Sequence, residues 1–359
     1  MRTLETLGCL KKFCLGLTVL CGFGAAQPIA AQQAAAAEIN LYSYRQPFLI
    51  QPLLDAFTAE SGIKVRVVFA KKGMLERIRA AGRNNAADAV LTVDMGRLNE
   101  LREAGVLAPV ASPVLNANIP AHLRHPDGLW FALTTRARVA LVSRERIGAD
   151  ELQSYEDLAE PRFKGRICMR SGKHAYNVAL VAAMIHHKGA DAARTWLKGL
   201  KANLARKPQG NDRAQAKAIY QGQCDVALAN NYYMAKMATN EKKPEQKKWA
   251  AAVKLLYLNQ GESQNGNHMN VSGAAVVKGA KHPAAAVKLL EFLSDAEAQR
   301  IYAEVNHEYP VKPGVRMSDL VRSWGAFKPD TADIEAIAKL RRRASRLVDE
   351  VRFNNGPTS

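Results

Sequence analysis

The sequence predicts an α/β protein of two lobes with a cleft between them. Three observations carry that reading. Strand-like and helix-like patterns alternate from Ile39 to Gly105, as they do in an open, largely parallel sheet covered by helices. A nearly uninterrupted strand-like run at 129–145, LWFALTTRARVALVSRE, suits a crossing from one lobe to the other. A second run, VKLLYLNQ at 253–260, is a candidate for the way back. The 359 residues, 48% hydrophobic and 23% charged, suffice for two domains and exclude a disordered or fibrous chain.

Taken in order, the chain opens on a segment unlike the rest. Lys11 and Lys12 precede FCLGLTVLCGFGAA, a short apolar stretch of the secretory kind, and alanine-rich sequence follows, so residues 1–37 read as an export signal. That stretch is short for a membrane span, and no later segment reaches about 18 uninterrupted apolar residues. The mature chain is therefore expected to be exported and soluble. INLYSY at 39–44 alternates as a strand does, and FLIQPLLDAFTAESG then carries apolar residues at helical spacing and stops at Gly62. IKVRVVFA from Ile63, a helix around 74–81, the strand DAVLTVD from Asp88 and a helix around 97–105 continue the first lobe. Past the crossing run, Ser154 with Asp157 signals a helix start, GRICMRS reads as a strand, and one long helical stretch covers 178–200. A helix around 214–221 leads to the strand CDVALAN. After the loop GESQNGNHMN come a strand, VSGAAVVK, and two helices, the second opened by a capping box of Ser294 with Glu297. The expected division is 38–136 and 259–310 for the first lobe, 137–258 for the second, and 311–359 for C-terminal helices packed on the lobes.

A net charge of +18 and a pI near 9.8 would suggest nucleic acid if the charge were clustered, but Lys and Arg are spread along the chain. The densest run, KLRRRASRLVDEV from Lys339, spaces its apolar residues as a helix does and reads as a solvated helix face. Export also argues against nucleic acid and leaves an anionic partner or plain surface charge. Cys9, Cys14 and Cys21 fall in the signal, so Cys168 and Cys224 remain. In an oxidising compartment two cysteines suggest one disulfide, with two buried thiols as the alternative.

In an open α/β sheet, ligands sit beyond the carboxyl ends of strands, and in a two-lobed protein they sit between the lobes. Tyr232 and Tyr233 follow CDVALAN, and Tyr176 follows GRICMRS; each site stands eight residues beyond one of the two cysteines. A Tyr is often half-buried with its hydroxyl on a partner, so each phenol alone is explained by packing. Three phenols at two strand ends of one lobe point to a ligand. Phenolate is a hard anionic oxygen, which suits ferric iron better than copper or zinc, whose sites usually carry His or Cys. Adjacent tyrosines in a strand face opposite ways, so joint chelation requires an irregular or helix-starting backbone, for which Asn230 and Asn231 supply turn and capping chemistry. His186 and His187 do not share a helix face, and Asp88 and Asp94 bracket a strand where helix capping explains them. His268 and His307 are weaker candidates for the cleft. No nucleophile elbow, metalloprotease, CxxC, P-loop or dinucleotide motif is present, which counts against an enzyme.

Read together, LYSYRQP, ADAVLTVD, WFALTTRARV, GRICMRSGKHAYN, LARKPQGNDRAQ, ANNYYM, NHMNVSG and NHEYPV resemble the periplasmic ferric-iron-binding proteins of bacterial ABC importers, from about Glu38 to Phe353. The resemblance implies a periplasmic-binding-protein clamshell with a cleft between lobes, acting as a monomer that hands iron to an inner-membrane ABC permease. It implies Fe(III) ligands at Tyr176, Tyr232 and Tyr233. Some members add a His and a Tyr from the other lobe, where this chain has Gln46 and Pro47. The site then resembles the subset completed by a synergistic anion such as carbonate or bicarbonate, with Arg45, Gln46 and Arg136 as candidates to hold it. Rival readings are the same fold binding an organic anion or other small solute, and a secreted enzyme using the cleft.

Overall fold

The structure, a computed structural model, describes residues 38–148 and 150–357. The export signal expected at 1–37 lies outside the described residues. The strands are β1 (Glu38–Ser43), β2 (Lys64–Phe69), β3 (Ala89–Thr92), β4 (Leu107–Ala108), β5 (Phe131–Ser143), β6 (Ile167–Cys168), β7 (Val226–Asn230), β8 (Val253–Leu256), β9 (Met269–Val277) and β10 (Tyr309–Pro310). They run in the order β2-β1-β3-β9-β5-β7-β6, with β4 on β9 and with β8 and β10 on β5.

β5 belongs to both lobes. Phe131 to Ala137 pair with β9 in the first, and Arg138 to Ser143 pair with β7 and β8 in the second. The first core gathers Leu41, Leu53, Phe57, Val90 and Leu289. In the second lobe the period-two alternation of β5 serves two layers: Ala140 and Val142 pack with Val181 and Leu228, while Val139 and Leu141 pack with Ile219 and Met237. The fold is therefore a two-lobed α/β clamshell.

Several local expectations need correction. The sheet is mixed rather than largely parallel: β1 pairs in parallel with β2 and β3, and β6 with β7, but β5 and β9 pair antiparallel with their neighbours. Parallel pairs need a crossover within one lobe, whereas β5 and β9 carry the chain between lobes and so enter the sheet from the other end. VKLL at 253–256 is β8, an ordinary strand of the second lobe, and the return crossing follows it. The stretch at 178–200 is not one helix. It is Ala175–Lys188 and Ala190–Ala202, parted at Gly189, whose φ of 83° no helix interior adopts. The helix Ala296–Ile301 is capped by the Asp295 side chain, which accepts from Ala298 N at 2.9 Å, and Ser294 lies buried at the end of the preceding helix.

The C-terminal segment is shared between the lobes. Ile337, Leu347 and Val348 join the second core, Ala338 joins the first, and Arg341 donates to Asp94 at 3.1 Å and Glu100 at 2.9 Å on the first lobe. One arginine of the basic run is thus spent between elements rather than left on a solvated face.

Cys168 and Cys224 form a disulfide, with Cα atoms 5.8 Å apart, and it ties β6 to the residues entering β7. The bond closes a loop 56 residues long. Restriction of the unfolded chain by a loop of that size contributes about 4 kcal/mol in the chain-entropy picture. Cys168→Ala with Cys224→Ala is expected to lower unfolding free energy by roughly that amount in urea titrations. Two reactive thiols in the denatured, unreduced protein would show that the bond is not made.

Candidate functional site

β7 ends at Asn230 and the helix Asn231–Ala238 begins at the next residue, so Tyr232 and Tyr233 stand in a first helical turn. In that turn neighbouring side chains are not thrown to opposite faces, and the two rings lie 4.5 Å apart, tilted by 38°. Tyr176 occupies the same kind of position in Ala175–Lys188, where the Nδ1 of the capping His174 accepts from Tyr176 N at 3.3 Å. The phenol oxygens of Tyr176 and Tyr232 are 3.1 Å apart. Since β6 and β7 are neighbours, the two strand ends deliver three phenols to one place.

Positive charge surrounds these rings. The guanidinium carbons of Arg170, Arg136 and Arg138 lie 5.4, 5.5 and 5.9 Å from the Tyr176 ring centre, and that of Arg213 lies 5.3 Å from Tyr233. Asp212 orients two of them from beneath, accepting from Arg138 at 2.8 Å and Arg170 at 2.9 Å. Burial alone would raise the Asp212 carboxyl, but the two arginines outweigh it and hold it below the usual carboxylate range. Burial, reinforced by the neighbouring phenols, pushes the Tyr232 hydroxyl well above its ordinary value, and burial with Tyr176 raises Tyr233. Without a cation both phenols keep their protons at neutral pH. Burial and Arg170 push the His174 imidazole down to about 3, which leaves it neutral and free to cap.

Tyr176, Tyr232, Tyr233, Arg45, Gln46 and Arg136 line one cavity of about 660 Å³. Arg45 is buried and donates to Glu308 at 2.8 Å and to the Ser272 hydroxyl at 2.8 Å. Arg136 donates to the same hydroxyl at 3.0 Å and to the Val93 carbonyl. Both guanidiniums are thereby fixed at the junction of the lobes, whereas the Gln46 side chain is exposed.

Other lining residues escaped the sequence reading. Tyr44 directly follows β1 and accepts from Met74 N at 3.2 Å, and the Arg97 guanidinium carbon lies over its ring, 4.1 Å from the centre. The strand-end rule that singled out Tyr176 would have found it. Lys71, Arg97, Arg170, Arg213 and Lys236 also line the cavity, and no local pattern marks them because they come from separate segments. His268 lies buried near the return crossing with neither ring nitrogen hydrogen-bonded, and neither it nor His307 lines the cavity. His187 pairs with Asp330 at 2.8 Å instead. Among the described residues no group of three or more His, Cys, Asp or Glu is placed to hold a metal.

Two α/β lobes joined by a shared strand, with polar side chains converging in the cleft between them, define a solute-binding protein. The chain belongs to the bacterial extracellular solute-binding protein family, whose profile matches residues 84–325. It is 42% identical to Iron uptake protein A1 of Synechocystis over 92% of this chain and 91% of that protein. Among solved structures it resembles apo Ferric ion-Binding Protein A of Pasteurella haemolytica, at 49% identity and a TM-score of 0.85 over 89% of this chain and 99% of that one. A Trichodesmium protein solved with iron and citrate is 42% identical, with a TM-score of 0.82 over 88% and 99% of the two chains. These relatives are named for iron uptake or binding, not for catalysis.

Proposed function

We propose that this protein captures Fe(III) in the periplasm and delivers it to an inner-membrane ABC transporter. The iron is held by the phenolates of Tyr176, Tyr232 and Tyr233 and by a synergistic anion such as carbonate or bicarbonate, which Arg45, Gln46 and Arg136 hold from the junction of the lobes. The observation that carries this reading is the convergence of the three tyrosines in one cation-lined cavity, with two phenol oxygens 3.1 Å apart. Three phenolates neutralise a ferric ion. The surrounding guanidiniums then favour the deprotonated ligands and attract the anion that fills the remaining coordination positions. An anion touching both lobes also gives closure its driving force, because a ligand shifts an open and closed equilibrium only by its differential affinity for the two states.

The test is optical. Purified protein given Fe(III) in bicarbonate is expected to develop a visible tyrosinate-to-iron charge-transfer band at one iron per chain and to lose it to a ferric chelator. A protein that stays colourless while binding an organic anion would favour the other solute-binding reading, for which the basic lining of the cleft is the supporting observation.

A further inference from the structure

We propose that Asn231 is a positioning residue that couples the angle between the lobes to the retention of iron, by tying the start of the tyrosine-bearing helix to the shared strand and to the first lobe at once. The inference rests on the ferric reading above and concerns how the cargo is kept, not which groups bind it.

The sequence suggested capping at Asn230 and Asn231, but the structure uses the two side chains otherwise. Asn230 occupies the N-cap position of the helix Asn231–Ala238 without a side-chain cap bond. Asn231 is fully buried, and its amide meets two partners. The ladder between β5 and β7 runs from Val142 opposite Val226 to Arg138 opposite Asn230. One step further, residue 231 would stand opposite Ala137, but the chain turns into the helix there. Asn231 Oδ1 takes the place of the strand and accepts from Ala137 N at 3.0 Å. On the other side, Asn231 Nδ2 donates to the His307 carbonyl at 3.5 Å.

Both partners stand where the lobes meet. Ala137 is the last residue of β5 to pair with β9, and Arg138 is the first to pair with β7. His307 has a left-handed backbone, φ 57°, at the end of the turn Tyr302–Asn306. Glu308 fastens that turn to the first lobe by accepting from Arg45 at 2.8 Å and from Thr134 Oγ1 at 3.1 Å. Rotation of the first lobe therefore carries His307 with it, while Ala137 lies on the strand that both lobes share. The bond at 3.0 Å persists as the lobes move, and the longer one follows their angle.

An amide suits this position. It offers an acceptor and donors on one short side chain, whereas a carboxylate lacks the donor and an aliphatic side chain lacks both. Its burial is costly unless both ends are bonded. Asn231 does not itself line the cavity, but Tyr232 and Tyr233 follow it directly, so a pull on its amide reaches the phenols through the helix start. A bond made more fully in one lobe arrangement favours that arrangement by the difference between the two. The bond to His307 favours the closed form and so slows the escape of iron.

Two substitutions test this. Asn231→Leu keeps the bulk and loses both bonds, whereas Asn231→Asp, when ionised, keeps an acceptor for Ala137 N and loses the donor to His307. Each is loaded with Fe(III) in bicarbonate and mixed with an excess of a ferric chelator. Both variants are expected to show the wild-type charge-transfer maximum yet lose the colour about tenfold faster or more, a factor usual for coupling between sites. In small-angle scattering both should contract less on loading than the wild type. Release at the wild-type rate in either variant, with a native-like melting curve, overturns the proposal, and so does a shifted maximum, which would make Asn231 a determinant of the ligand geometry itself. Where a variant fails to fold, hydrogen exchange of the Asn231 side-chain amide in the wild-type protein decides, with diamagnetic Ga(III) in place of iron. Slower exchange in the loaded protein is expected, and equal rates overturn the coupling. A wild-type protein that stays colourless overturns the ferric reading, and this inference with it.

Discussion

Tyr233→Phe is expected to weaken Fe(III) binding by at least about 100-fold, since changes to the outer partners of metal ligands alone already cost 10–100-fold. The substitution removes one oxygen and leaves the ring, so the packing against Tyr232 at 4.5 Å and beneath Arg213 at 5.3 Å survives. The electrostatic consequence is larger than the loss of one bond. With two phenolates the ferric site keeps a unit of positive charge among Arg136, Arg138, Arg170 and Arg213, where the intact site is neutral. Competition against a chelator of known stability measures the affinity, and the charge-transfer band reports the ligands. Wild-type affinity with an unaltered band would remove Tyr233 from the coordination sphere.

Acid is expected to release the metal steeply. Tyr232 and Tyr233 have hydroxyls raised above their ordinary values by burial, so both are protonated in the neutral, metal-free protein, and iron must displace both protons. Protons and iron compete for the same oxygens, so lowering the pH favours the protonated, empty state. With at least two protons released per iron, affinity at fixed free Fe(III) falls by at least about 100-fold for each pH unit. Titration in metal buffers of constant free Fe(III), from neutral pH to about 4, follows the occupancy, and calorimetry in buffers of different ionisation enthalpy counts the protons. A flat occupancy curve over that range would rule out tyrosinate ligation.

The periodicities that set the fold are local, and they were legible. Alternation in INLYSY, helical spacing in FLIQPLLDAFTAESG and the length of the run that became β5 are consequences of which faces are buried within one element. Where local rules competed, the sequence reading failed in identifiable ways. Gly189 broke a helix that its apolar spacing continued, and Asp295 took the cap assigned to Ser294 because both fit the same first turn.

The sequence by itself determined the two-lobed α/β class, the three tyrosines beyond two strand ends and the pair of cysteines eight residues before them, because strand-end placement and residue spacing are properties of short segments. The tertiary structure alone decided how the cleft is electrically built. Arg45 meets Ser272 across 227 residues and Glu308 across 263, and Arg97 faces a cavity it shares with Arg213 and Lys236. Such juxtapositions depend on how the shared strand β5 and the returning strand β9 set one lobe against the other, and no short stretch of sequence encodes them. Coulomb interactions act through space rather than along the chain, so which charges are paired and which remain free for a ligand is settled only when the lobes are packed.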